Sequence, residues 1–317
     1  SFSWSMEENL TLYDTDYTTT QWCIFSEGLY YSKNVKGQRS YAMQWGGEHG
    51  TLHHCLISNC NSRMPRFNGV RMSVNDRHVD NEFVNNVIFN WGGHNSIYGG
   101  ERDAATGDDS YNRVYMINNY YRPGPLTKKN GGNRHFVSAS AEKAEDLGEW
   151  YLKGNKFELN SKWAPATTIW SNAELEKVNA DNYYGFVGGN NSRGMNLYRA
   201  GSQIPLTQEI ADKILLKELP YPLSGMSHDE SADEAYRKVV AQAGASLPRY
   251  DEGDERLLAE AAGQRDPQFG GSLGKYGIID TPYDIELQEH DDFVALDEAT
   301  GQEINVTCYP RLQMDAT

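Results

Sequence analysis

The densest chemistry in this sequence is the run Ser62-Arg63-Met64-Pro65-Arg66, followed by Arg71 and Arg77. Four arginines within fifteen residues stand out in a chain whose net charge is −15. A guanidinium is a planar charged fork that fits a carboxylate with two parallel hydrogen bonds. The cluster therefore points to an acidic ligand, against the plainer alternative of charges that solvate a loop. The adjacent pair Glu7-Glu8 supplies hard oxygen donors of the kind divalent cations take. Successive strand residues point to opposite faces, so one of the two is expected in a groove, with Glu7 preferred. An exposed acidic turn is the other reading. Lys33 and Lys36 precede the strand-like stretch Ser40–Trp45. His53-His54 also sits in a strand pattern, where only one ring can face inward; a packed or surface role is expected for both. No Gly-x-Ser-x-Gly, His-Glu-x-x-His or phosphate-loop motif is present.

Composition narrows what such residues could serve. The chain has 317 residues, 38% hydrophobic and 12% aromatic, with 20 Tyr and 7 Trp, which argues against intrinsic disorder. No apolar run approaches the roughly 20 residues needed to span a membrane. The negative charge disfavours nucleic acid as a partner. An acidic protein can still hold an acidic polymer through a local basic patch or bridging cations. Cys23, Cys55, Cys60 and Cys308 show no zinc spacing and no CxxC, and do not settle the compartment. The opening Ser1-Phe2-Ser3-Trp4 is already apolar and reads as a truncated or processed start.

The elements that must position these residues form a repeat. Thr20–Glu27, Leu52–Asn59, Phe83–Asn90, Met116–Pro123 and Leu152–Leu159 align on Cys23, Cys55, Asn86, Asn119 and Asn155, with Asn182 next. The anchor spacings are 32, 31, 33, 36 and 27 residues. Two positions after the anchors stand Phe25, Ile57, Ile88, Tyr121, Phe157 and Tyr184. Three before four of them stand Leu52, Phe83, Met116 and Leu152. Such periods belong to solenoids, whose coils bury their apolar faces only by stacking. An inward Asn at one corner of each coil can bond its amide to the coils above and below, and tolerates a left-handed corner. Ser40–Trp45, Val70–Asn75, Asn95–Gly99 and Arg134–Ala139 supply further strands, at least two per coil. Glu101–Asn112 and Pro123–Gly132 read as loops leaving the stack. Cys23 and Cys55 fall at equivalent corners and are expected as stacked thiols, with a disulfide as the alternative. After about residue 200 the pattern changes. Ser231–Ala245 opens with the capping box Ser231-x-x-Glu234, and Asp254–Ala262 is a second helix candidate. The expected organisation is coils over 1–200 and, over 201–317, an extension packed along the solenoid or a small helical domain.

The ordered runs SFSWSMEENLTLY, TTTQWCIFSEGL, SKNVKGQRSYAMQWGG, LHHCLISNCNSRMPR, FVNNVIFNWG and INNYYRPGP resemble bacterial pectate lyases of polysaccharide lyase family one. The resemblance covers Ser1 to about Tyr184, and the tail Asp233–Asp284 is similar to the same relatives. It implies an all-β fold, a right-handed parallel β-helix with a partly helical C-terminal extension. It implies a secreted protein, or a periplasmic or cell-surface one in a bacterium, monomeric, with calcium as cofactor. Its partner would be acidic plant cell-wall polysaccharide, cleaved by β-elimination. The catalytic base would be Arg63, the first arginine of Arg-x-Pro-Arg. Arg66 would bind the substrate carboxylate, as would Lys36, with Arg39 as the alternative to Lys36. Glu7 and Glu8 would ligate the metal, although relatives carry Asp-Glu there and a further Asp before the SFSW motif. Lys128, Lys129 and Arg134 would extend the groove. A lyase on methylated pectin, a galacturonan hydrolase and a non-catalytic adhesive solenoid are the rival readings; the hydrolase would need clustered inward Asp residues, which the coils lack.

Overall fold

Short apolar strands recurring every thirty-odd residues have no partner within their own coil, so they pair with the next one. The computed structural model describes residues 1–32, 34–68, 78–92, 96–100, 111–130, 135–141, 147–184, 195–197, 203–204, 207–219 and 224–267, and short strands at 286–287, 293–296, 303–306 and 312–313. Lys33, 69–77, Arg134 and Cys308 lie outside the described residues, and with them the expected strand at 70–75, Arg71 and Arg77. Within the described residues the chain forms the expected parallel β-helix, with three strands per coil.

The first sheet holds six parallel strands: Phe2–Ser3, Ile24–Ser26, Leu56–Ser58, Val87–Phe89, Tyr120–Arg122 and Lys156–Phe157. The second runs through Glu8–Thr11, Tyr41–Trp45, Arg66–Phe67, Tyr98–Gly99, Ser138–Ala141 and Met195–Leu197, closed by antiparallel Gln203–Ile204. The third stacks Thr18–Gln21, His49–His53, His78–Val84, Tyr111–Ile117 and Glu149–Lys153. Phe2, Phe25, Ile57, Ile88, Tyr121 and Phe157 lie in register, and the last five are buried inside the solenoid. Leu52, Phe83, Met116 and Leu152 do the same from the third sheet.

The corner between the third and first sheets carries a ladder of amides. Asn86 Nδ2 donates to Asn119 Oδ1 (3.2 Å), Asn119 Nδ2 to Asn155 Oδ1 (2.8 Å) and Asn155 Nδ2 to Asn182 Oδ1 (3.0 Å). The backbone N–H groups of Asn86, Asn119 and Asn155 donate to the same oxygens, and that of Cys55 donates to Asn86 Oδ1. One expectation needs correcting: the left-handed residue is the one before the anchor. Trp22, His54, Asn85 and Asn118 take φ of 55°, 53°, 55° and 54°, and Gly154 takes 68°. The ladder amides sit one residue after the turn, while the turning Asn85 and Asn118 point their amides outward to the Glu230 and His228 carbonyls.

Helices close what strands leave open. Trp170 and the helix Asn172–Ala180, which the repeat did not foretell, bury Leu175 and Val178 in the solenoid core. Pro125–Asn130 is helical inside an expected loop. The helix Ala232–Gln242 starts at Ser231 with the capping box intact, and Glu252–Ala261 follows. Both pack on the outer face of the first sheet, against Ile24, Leu56, Val87, Phe89 and Tyr120. These alternate with the inward residues, as strand geometry requires. Arg256 reaches through to the buried Glu27 carboxylate at 2.9 Å.

Candidate active site

The second sheet brings the candidate residues together, one row per coil. Glu8 is in register with Tyr41, and Tyr41 bridges to Ser62. In the next row Gln44 pairs with Arg66 and Arg66 with Tyr98. Residues 22 to 55 positions apart in the chain thereby share one surface.

Arg63 has a left-handed backbone, φ 58°, just before the strand Arg66–Phe67. Its guanidinium carbon lies 4.2 Å from the centre of the Tyr41 ring, and Nε donates to Tyr98 Oη at 3.2 Å. Nη1 forms an ion pair with Glu8, whose side chain is only 6% exposed. Glu8 also accepts from Gln44 Nε2 at 3.2 Å, and Gln44 Oε1 accepts from Arg66 Nη1 at 3.2 Å and Tyr13 Oη at 2.6 Å. The guanidinium is thus held at its face, one edge and one end.

Glu7 sits in a second, more open cluster. Lys36 Nζ lies 3.1 Å and Arg39 Nε 3.6 Å from its Oε1, and Asn34 Nδ2 donates to Oε2 at 3.3 Å. Partial burial pushes the Glu7 carboxyl pKa up, but the hydrogen bonds from Lys36 and Asn34 and the nearby cations outweigh it and hold it below the usual carboxylate value. Lys36 and Arg39 share this partner, so both sequence candidates belong to the cluster. The Arg39 guanidinium lies 5.6 Å from the Tyr41 ring that also carries Arg63, which links the two groups. All five expected residues, Glu7, Glu8, Lys36, Arg63 and Arg66, fall in this linked network. Tyr41, Tyr98 and Gln44 were not expected. Their signal is register, and register appears only once the coils are stacked.

Both metal candidates engage the site, since Glu7 and Glu8 each bind cations of the network. Their carboxylate oxygens have the hardness that calcium requires, and Glu7 is open to solvent, so the donor chemistry fits. Two residues fall short of the six to eight oxygens that calcium takes, so an ion held there would need further ligands. Among the described residues, one group of three His, Asp or Glu side chains comes close enough for a metal: Asp16, Glu48 and His49, at another corner. There Nδ1 of His49 pairs with Asp16 at 2.6 Å and Tyr17 stacks on its ring.

The histidine pair is structural. His54 occupies the left-handed corner, stacks on Trp22 and pairs with Glu230 at 3.3 Å. Burial first, and the charge of His54 second, push the His53 pKa down to about 4; His54 is also lowered, by burial. The unfolded chain, with His near 6.5, therefore takes up protons first as pH falls. The stabilisation is whole above about pH 6.5 and is lost progressively towards pH 4. We expect the melting temperature to fall across that window and His53→Asn to flatten the fall, measured by circular dichroism melts. An unchanged slope would remove His53 as its source. Cys23 and Cys55 stack as thiols: the Cys23 N–H meets Cys55 Sγ at 3.5 Å, and neither is in a disulfide.

No protein-family profile matches the chain. Over 140 residues, 43% of this chain, it is 32% identical to a probable pectate lyase C of Aspergillus flavus. The match spans 28% of that relative's length. The relative is fungal, so the comparison supports a pectate-lyase-like protein without the bacterial source that the motifs suggested.

Proposed function

We propose that this chain carries the catalytic groove of a pectate lyase, which cleaves de-esterified α-1,4-polygalacturonate by β-elimination. The observation that supports this reading is the convergence, among the described residues, of Arg63, Arg66, Lys36 and Arg39 with Glu7 and Glu8 on and beside the second sheet of a parallel β-helix. These guanidinium and ammonium groups are the kind that pair with uronate carboxylates, and they gather on one surface of a strongly acidic chain.

In this reading Arg63 removes the C5 proton of a galacturonate. The electron pair forms the C4–C5 double bond as the C4–O bond breaks, and the departing oxygen takes a proton from solvent. Arg66 and Lys36 hold uronate carboxylates, and Lys36 is exposed enough to exchange Glu7 for substrate. Calcium, when bound at Glu7 and Glu8, neutralises the uronate and acidifies its C5 proton. An arginine begins protonated, and its ion pair with Glu8 favours that state. For Arg63 to act as the base, its guanidinium first gives one proton to solvent; the neutral group then takes the C5 proton and ends as guanidinium.

Incubation with polygalacturonate and calcium should produce the ultraviolet absorbance of the unsaturated product, and a chelator should abolish it. Chelator-resistant activity confined to methylated pectin would assign the chain to that substrate. Absence of product from both polymers, with the polymer still bound, would leave a carbohydrate-binding solenoid.

A further inference from the structure

The loops that leave the first sheet for the second emerge along one edge of the solenoid. They carry, coil by coil, Lys36, Arg63, the helix Pro125–Asn130 and the segment after Lys156–Phe157. Side chains tie this edge together. Asn90 Nδ2 donates to Asn59 Oδ1 at 2.7 Å, and Asn90 Oδ1 accepts the Leu126 N–H at 2.8 Å. Buried Leu126 packs on Tyr30, from the loop that also carries Lys36.

At the far end of the edge Trp163 stands half-buried with two lysines near its ring. Lys162 Nζ lies 4.9 Å and Lys128 Nζ 5.9 Å from its ring centre. Lys128 Nζ also donates to the Lys162 carbonyl at 3.0 Å, which joins helix and segment. Lys162 pairs with Asp266, but the two side chains are 65% and 69% exposed, so the pair is weak and readily exchanged. Three strand spacings, roughly 14 Å, separate this coil from that of Arg63.

We propose that Trp163, Lys128 and Lys162 form a distal subsite for one uronate unit of the polysaccharide held at Arg63. The proposal rests on the polygalacturonate reading above. A uronate ring has a C–H face and a carboxylate edge. The indole offers a flat apolar surface for the first, and the two ammonium groups offer charge-assisted hydrogen bonds for the second. A neutral sugar would use only the indole. The site lies several monosaccharides from the point of cleavage, so it should favour long chains over short ones.

The test is native affinity electrophoresis in gels containing polygalacturonate or dextran, with chelator present so that no bond is cut. The wild-type protein should be retarded by polygalacturonate alone. Trp163→Ala should raise the apparent Kd about tenfold and Lys128→Gln about threefold, on the scale of one lost exposed contact. Trp163→Phe, which keeps an aromatic face, should restore most of the affinity. Lys128 is exposed, so its variant tests the site even if Trp163→Ala fails to fold. Binding of digalacturonate, too short to span the distance, should be unchanged by calorimetry. Wild-type retardation in all variants would overturn the subsite alone. No retardation of the wild-type protein with chelator, nor of the Arg63→Lys variant with calcium, would overturn the polygalacturonate reading and the subsite with it.

Discussion

Arg63→Lys should lower kcat on polygalacturonate by at least about 10³-fold, near the upper range for losing a general base, while the protein stays folded. Lysine keeps the positive charge beside Glu8, so the buried carboxylate keeps a partner. It cannot reproduce the fork. A single ammonium cannot reach Glu8, meet Tyr98 Oη and lie flat over Tyr41 as the guanidinium does. The variant therefore separates position from charge. Arg63→Ala should also be inactive, but it strands Glu8 at 6% exposure, and an uncompensated buried charge costs about 3–5 kcal/mol. Its inactivity could then reflect lost stability, which is why lysine is the informative change. A lysine variant within tenfold of the wild-type kcat would remove Arg63 as the base. If Arg63 only binds carboxylate, KM should rise while kcat holds.

The solenoid was legible in the chain because its signal is repeated. One Asn-Asn pair means a turn; an anchor followed at a fixed offset by Phe25, Ile57, Ile88, Tyr121 and Phe157 means a stack, and those five side chains fill it. The third strand of each coil was harder to read. Tyr98–Gly99 falls inside the expected stretch Asn95–Gly99, whereas Arg66–Phe67 is two residues long, too short for any period to show. The helix Asn172–Ala180 was missed because it caps the stack and repeats nothing. At the site, residue types were legible and partnerships were not. Arg63, Arg66 and Lys36 stand out as cations in an acidic chain, whereas Tyr98 is one of 20 tyrosines until register sets it one coil above Arg66. The alternation rule expected one of Glu7 and Glu8 in the groove. Both engage the network, because Glu7 lies just before the strand that begins at Glu8 and is not bound by its alternation.

The ladder supplies the largest effect expected on stability. Asn119→Ala should destabilise the fold by about 3–5 kcal/mol, from two or more buried polar groups left without partners. That is a large part of a typical total of about 5–15 kcal/mol, so little soluble protein is expected at 37 °C. Asn119 Oδ1 accepts from the Asn86 N–H at 2.9 Å and from Asn86 Nδ2 at 3.2 Å. Its Nδ2 donates to the Phe83 carbonyl at 2.7 Å and to Asn155 Oδ1 at 2.8 Å. All three asparagines are fully buried, so water cannot take over these bonds. The control lies in the same column. At Cys55 the row of amides has ended, and the Cys23 N–H meets only sulfur at 3.5 Å. Cys55→Ala therefore removes volume and little hydrogen bonding, and should cost about 1–2 kcal/mol. Urea denaturation of both variants compares the two terms directly. Equal losses would mean that the amides contribute little net free energy and that apolar stacking alone holds the coils. A much larger loss at Asn119 would show that the corner amides fix the spacing of the coils, and with it the rows that bring Arg63, Glu8 and Tyr98 into contact.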